Sequence, residues 1–209
     1  MKVLSVSAHI ADGLIGCGGI MMQLMAQGHE VKVVYTSDMK RDAIPTVMEH
    51  LGVRDFETLD FPINAQEDRF AELQDKLSPI VADTAPDVTL TLWPSEQVLS
   101  DHCMTGRATQ EAFLNAFGME SENRLYFFEV TQYVPDFHPE IYVELSEEQW
   151  QKKADCISRM DAYNEREKEL ILEEMELRAL QHGAECAAAS SYAEALAPFR
   201  PMIIPVDSL

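Results

Sequence analysis

The feature that most constrains this chain is its opening, in which two short apolar runs flank one glycine-bounded helical stretch. Lys2 to Ser7 is rich in Val and Leu and ends before a glycine cluster, Gly13 to Gly19. A helix from about Gly19 to Gln27 follows, Gly28 stops it, and Glu30 to Thr36 reads as a second strand. Strands joined through a helix run parallel, with the helix lying on a sheet face.

The alternation persists. A helix near Arg41 to Leu51, a strand around Phe56 to Leu59, a helix from Glu67 to Ala82 and a strand from Asp87 to Trp93 are followed by a helix from about Asp101 to Ala116 and a strand at Leu125 to Val130. This order predicts an α/β fold, a Rossmann-like doubly wound, mostly parallel sheet with helices on both faces. Beyond residue 130 come Pro135 and Pro139, a strand at Ile141 to Leu145, and a helix that Ser146 and Gln149 open with capping-box spacing and that runs to about Asn164. The run Glu165 to Glu169 reads as a solvated helix face with paired charges. Met21, Met22 and Met25 read as core, and Pro198, Pro201 and Pro205 as an extended tail on the surface. The expected organisation is one domain over residues 1–209, with 1–130 as the α/β core and 131–209 packed on it.

Charge and cysteine usage narrow the function. Sixteen Lys and Arg stand against 36 Asp and Glu, a formal net charge of −20, which argues against a nucleic-acid groove and against an anionic membrane surface. No stretch reaches the roughly 18 apolar residues of a membrane helix. Leu14-Ile15-Gly16-Cys17 imitates a lipoprotein cleavage box, but His9 and Asp12 interrupt the apolar run that such a signal needs. Cysteines at 17, 103, 156 and 186 contain no Cys-x-x-Cys pair, which predicts reduced thiols in a cytoplasmic protein.

The glycine cluster does not fit a nucleotide site. Counting from Gly16 and Gly18, the third glycine of G-x-G-x-x-G falls at Met21, and no Gly-Lys-Ser/Thr occurs. More informative is Ala8-His9-Ile10-Ala11-Asp12 at the carboxyl end of the first strand, where open α/β sheets place ligands. His9 and Asp12 suit zinc or a similar divalent metal, although the same residues could cap a helix and bond the backbone. Asp101-His102 follows the fourth strand, so His102 supplies a third candidate ligand, the usual number in a catalytic zinc site.

These residues resemble the PIG-L/LmbE family of zinc-dependent de-N-acetylases. The family opens with Ala-His-Pro-Asp-Asp-Glu, Gly-Cys-Gly-Gly and Gly-His-Glu-Val. Here the stretches are Ala8-His9-Ile10-Ala11-Asp12-Gly13, Gly16-Cys17-Gly18-Gly19 and Gly28-His29-Glu30-Val31, and the second motif, His-Pro-Asp-His, corresponds to Leu99-Ser100-Asp101-His102. The likeness extends to Leu51-Gly52-Val53, Ile141 to Leu145 and Tyr192 to Ala195. It implies His9, Asp12 and His102 as ligands of zinc or another divalent metal. It also shows two departures: the family's general base is replaced by Ala11, and its acid and oxyanion partner by Leu99.

The resemblance therefore implies a metal-dependent hydrolase that removes an N-acyl group from a sugar or similar small amide. Asp101 is the candidate substitute catalytic base and Glu96 a more distant one. The alternative is a catalytically silent member that binds a metal or sugar-like ligand or serves as an assembly subunit. The family's long loop after the second strand is missing, so Lys40 or Arg41 stands where it carries a substrate-binding Arg, and the crevice should be wider and more apolar. The implied partner is a small N-acylated substrate, without nucleic acid or membrane, and a homo-oligomer is left open.

Overall fold

The computed structural model describes residues 1–96, 99–130, 134 and 136–200. Its strands are β1 (Lys2–Ser7), β2 (Glu30–Ser37), β3 (Asp55–Phe61), β4 (Val88–Leu92), β5 (Arg124–Phe128), β6 (Ile141–Leu145) and β7 (Tyr192–Pro198). Its α-helices are α1 (Asp12–Ala26), α2 (Ile44–Leu51), α3 (Phe70–Thr84), α4 (Ser100–Phe117), α5 (Glu147–Ser158) and α6 (Glu165–Glu185). The strands form one sheet in the order β3-β2-β1-β4-β5-β7-β6. The first five are parallel, and β7 runs antiparallel to both β5 and β6.

β1 is paired along both edges, with Lys2 to Ser7 opposite Glu30 to Tyr35 and Val3 to Val6 opposite Val88 to Thr91. A strand flanked on both sides and covered on both faces favours apolar or small residues on both faces, and β1 buries Val3, Leu4 and Val6 together with Ser5 and Ser7. Val3 packs with residues of α1, α2, α5 and α6 on one face. Leu4 and Val6 pack with Leu73, Leu77 and Val81 of α3 and Ala108 and Ala112 of α4 on the other. The chain winds outward from β1 through β2 and β3, then returns to build β4 and β5 on the opposite side. This reversal sets the carboxyl ends of β1 and β4 side by side, the position at which open α/β sheets bind ligands.

Three expectations need correction. The glycine cluster is not a turn before a helix but lies inside α1, which begins at Asp12 and is broken at Cys17 (φ −147°, ψ 22°). Gly16 allows this close approach, because a Cβ there would overlap the Phe128 ring. The break frees backbone donors, and Glu194 accepts from Gly19 N (2.8 Å) and Ile20 N (2.7 Å) while Lys153 Nζ sits 2.7 Å from the same carboxylate. An internal carboxylate thus occupies the donors that the break exposes, as an anion does at a helix N-terminus.

The second correction concerns the helix after Ser146. It stops at Ser158, and Asn164 opens α6 with its own capping box through Glu167. The third concerns β7, a buried strand where the sequence suggested none. Its Tyr-Ala-Glu-Ala-Leu-Ala-Pro composition has low strand propensity, and burial between two neighbours overrides that preference. Pro198 closes this strand, and Pro201 and Pro205 lie outside the described residues. The four cysteines are free thiols. No helix among the described residues is long and apolar enough to cross a membrane.

Candidate metal centre

Two strand ends build the centre. After β1 the chain makes a tight turn in which Asp12 N donates to His9 O (3.2 Å) and His9 N donates to Asp12 Oδ2 (2.6 Å). The turn fixes both side chains. Asp12 does not cap α1, whose first-turn donors receive no side-chain bond. From β4 the chain enters α4, whose first turn carries Asp101 and His102. Gly106, one turn later, lets the helix rest on the end of β4, since a Cβ there would overlap the Leu92 carbonyl.

Three donor atoms from these segments face one point. His9 Nδ1 lies 3.1 Å from His102 Nε2, His102 Nε2 lies 3.3 Å from Asp12 Oδ2, and His9 Nδ1 lies 3.5 Å from Asp12 Oδ2. Zinc bonds of about 2.0–2.1 Å in a tetrahedron place neighbouring ligands about 3.3 Å apart. The triangle has that size.

The outer nitrogens settle the tautomers. Glu96 Oε1 and Oε2 lie 3.0 and 2.9 Å from His102 Nδ1, and Asp101 Oδ2 lies 3.4 Å from His9 Nε2. An ionised carboxylate can only accept, so each outer nitrogen carries the hydrogen, and in the neutral form each imidazole would turn its lone pair inward. Two lone pairs and a carboxylate oxygen this close repel unless a cation or protons lie between them. Burial sharpens the demand, because Asp12, Glu96 and Asp101 are only 5%, 3% and 1% exposed. The residues fit a divalent metal, and the group of three comprises His9, Asp12 and His102.

Without a metal, protons take that role. Burial acts to lower the His102 pKa, but Asp12 and Glu96 outweigh it and raise it to about 10. Burial is likewise outweighed at His9 by Asp101 and Asp12, giving about 9. Burial would raise Asp12, yet His102 and His9 hold its carboxyl well below the usual range. Metal ligation needs neutral imidazoles, so uptake must displace protons. Zinc affinity should therefore tighten with rising pH by about tenfold per unit for each proton displaced, the His9 contribution ending at about pH 9 and the His102 contribution at about pH 10. Competition against a chelating dye at about pH 6.5, 7.5 and 8.5 measures this. A flat profile would refute the proton-filled site.

Around the triangle, Asp101 Oδ2 also accepts from Asn64 N (2.9 Å), whereas Oδ1 is buried with no hydrogen-bond partner among the described residues. The segment after β3 is held in place by fully buried Gln66, which bonds Thr36 and Thr105. Ile63 on that segment and Leu99 at the start of α4 flank the Asn64–Asp101 contact and are 51% and 38% exposed. Lys40 lies 3.5 Å over the Tyr163 ring and 3.8 Å from Glu167, and Arg41 pairs with Asp60 at 2.6 Å. Burial, then Asp12 and Glu167, raise the Tyr163 pKa, so Tyr163 lies within the field of Asp12. Ala11 is buried beside Asp12. The sequence reading missed the hold of Glu96 on His102, although an acidic residue just past a strand end and six positions before a ligand histidine was the available signal.

The PIG-L family model, described as GlcNAc-PI de-N-acetylase, matches residues 4–113, just over half of the 209 residues. This chain belongs to the PIG-L family. No curated protein matches it. Among solved structures, N,N'-diacetylchitobiose deacetylase from Pyrococcus horikoshii is similar with a TM-score of 0.80 and 19% identity over 100% of this chain and 88% of that one. GalB, the 4-carboxy-2-hydroxymuconate hydratase from Pseudomonas putida KT2440, has a TM-score of 0.77 and 22% identity over 98% of both chains. The zinc-inhibited form of teicoplanin deacetylase Orf2 has a TM-score of 0.71 and 14% identity over 95% and 97%. At these identities the likeness is one of fold.

Proposed function

We propose that the protein is a zinc-dependent hydrolase that removes an N-acyl group from a sugar or similar small amide, with His9, Asp12 and His102 as the metal ligands. The observation that carries this reading is the donor triangle, in a chain of the PIG-L family. A divalent ion held there supplies a Lewis acid that polarises a carbonyl and lowers the pKa of water. The remaining work falls to the chain. Glu96 and Asp101 hold the outer imidazole hydrogens, and Asp101, whose Oδ1 has no hydrogen-bond partner among the described residues, is the carboxylate assigned in this reading to take a proton where Ala11 cannot. Lys40, over the Tyr163 ring and near Glu167, and Arg41, paired with Asp60, are the two basic residues proposed for a substrate contact.

In this reading the exposed apolar residues Ile63 and Leu99, close in the chain to Asn64 and Asp101, are assigned to the acyl side. Each buried methylene is worth about 0.8 kcal/mol, or up to about fourfold in affinity. With N-acyl glucosamines from acetyl to octanoyl and zinc-loaded protein, amine release should favour the longer chains, and Leu99→Ser should shift the preference towards acetyl. A preference for acetyl in the wild type would remove this wall from the argument.

Ala11 and Leu99 favour a second reading, a member that binds metal or ligand without amide cleavage. The fold likeness to a hydratase adds an unsaturated carboxylic acid to the same assay. Ligand binding without amine release from any N-acyl compound would select this second reading.

A further inference from the structure

We propose that Glu96 is a positioning residue of the metal centre, one that fixes His102 in the tautomer and orientation that present Nε2 to the ion. The inference rests on the metal reading of the His9, Asp12 and His102 triangle. Glu96 belongs to neither sequence motif. It comes from the segment after β4, six residues before His102, and is 3% exposed. Both of its oxygens address the same atom, His102 Nδ1, at 3.0 and 2.9 Å.

A carboxylate withdrawn from water loses its hydration and needs strong compensation. Among the described residues its side-chain hydrogen-bond donor is that one imidazole N–H, with the Arg178 guanidinium adding a charge to its surroundings. An acceptor at Nδ1 keeps the hydrogen there, leaves Nε2 bare, and makes the imidazole a stronger donor to a cation. The opposite choice, with hydrogen on Nε2, would place an N–H 3.1 Å from His9 Nδ1 and close the triangle to metal. Asp101 holds His9 in the same sense, but at 3.4 Å and while also accepting from Asn64 N. Glu96 makes the closer contact, and because the Arg178 guanidinium also lies in its field, its role at the metal is read from His102 geometry as well as from zinc affinity.

The test uses the full chain as wild type, Glu96→Gln and Glu96→Ala. Zinc dissociation constants come from competition with a chelating dye, ligand geometry from the visible spectrum of the Co2+ form, and the tautomer from imidazole 15N shifts of the zinc form. Glu96→Ala should weaken zinc binding about 10- to 100-fold, the usual cost of losing such a partner. Glu96→Gln should lose less, because its amide oxygen still accepts from Nδ1–H while the charge is gone. The Co2+ spectrum and His102 shifts should move in Glu96→Ala and stay near wild type in Glu96→Gln.

If both variants bind zinc as tightly as wild type, or if Glu96→Ala leaves the Co2+ spectrum and His102 shifts unchanged, the inference is overturned while the metal reading stands. If the wild type itself takes up no zinc, the metal reading fails and the inference falls with it. Should Glu96→Ala not fold, Glu96→Gln decides: weaker zinc binding at unchanged melting temperature supports the role, and unaltered binding overturns it.

Discussion

Protein supplied with zinc should carry about one ion per chain, and His102→Ala should carry almost none under the same conditions. Catalytic zinc sites use three protein ligands, and the triangle offers that number at the spacing of a tetrahedral face. Removing a partner that only orients a ligand costs about 10- to 100-fold in affinity. Removing the ligand itself leaves one imidazole and one carboxylate, so the loss should exceed 100-fold, or about 2.7 kcal/mol. His50→Ala is the matched control, because His50 lies on α2 with its Nδ1 against the Thr46 carbonyl. Elemental analysis after dialysis reads all three proteins. Equal zinc in wild type and His102→Ala would break the ligand assignment, and zinc-free wild type would break the site.

The sequence revealed what periodicity and turn chemistry control. β1 was legible because it is paired on both edges and packed on both faces, and Gly28 was legible because the end of α1 needs a positive φ of 82°. The closeness of the candidate ligands His9, Asp12 and His102 was legible because each sits within five residues of a strand end or in the first turn of a helix. β7 was hidden, since its alanines become strand only when β5 and β6 lie on either side. The broken helix at Cys17 was hidden for a similar reason: its stabilising carboxylate, Glu194, is 175 residues away in sequence. The hold of Glu96 on His102 is a contact across a loop, which no spacing rule describes.

Ala11→Asp should raise amidase activity on N-acetylated sugars by on the order of 100-fold. General base assistance is typically worth 10²–10⁴-fold, and the lower end applies because no surrounding shell has been built to hold the new group. Position 11 lies in the turn between His9 and Asp12, so a carboxylate there starts one residue from a ligand. It is also buried, and burial raises a carboxyl pKa towards the neutral range in which a base is most useful. The cost is a further negative charge beside three buried carboxylates, so the variant should be less stable than wild type without metal and recover with zinc. Adding Leu99→His should increase the gain, because a donor to the developing oxyanion and an acceptor for the water proton act at different atoms of one transition state. Rates measured with zinc content held equal across the series isolate this effect. If the wild type is instead brisk from the start, and Asp101→Asn abolishes turnover while zinc stays bound, then Asp101 is the working base and Ala11 marks where that role was given up.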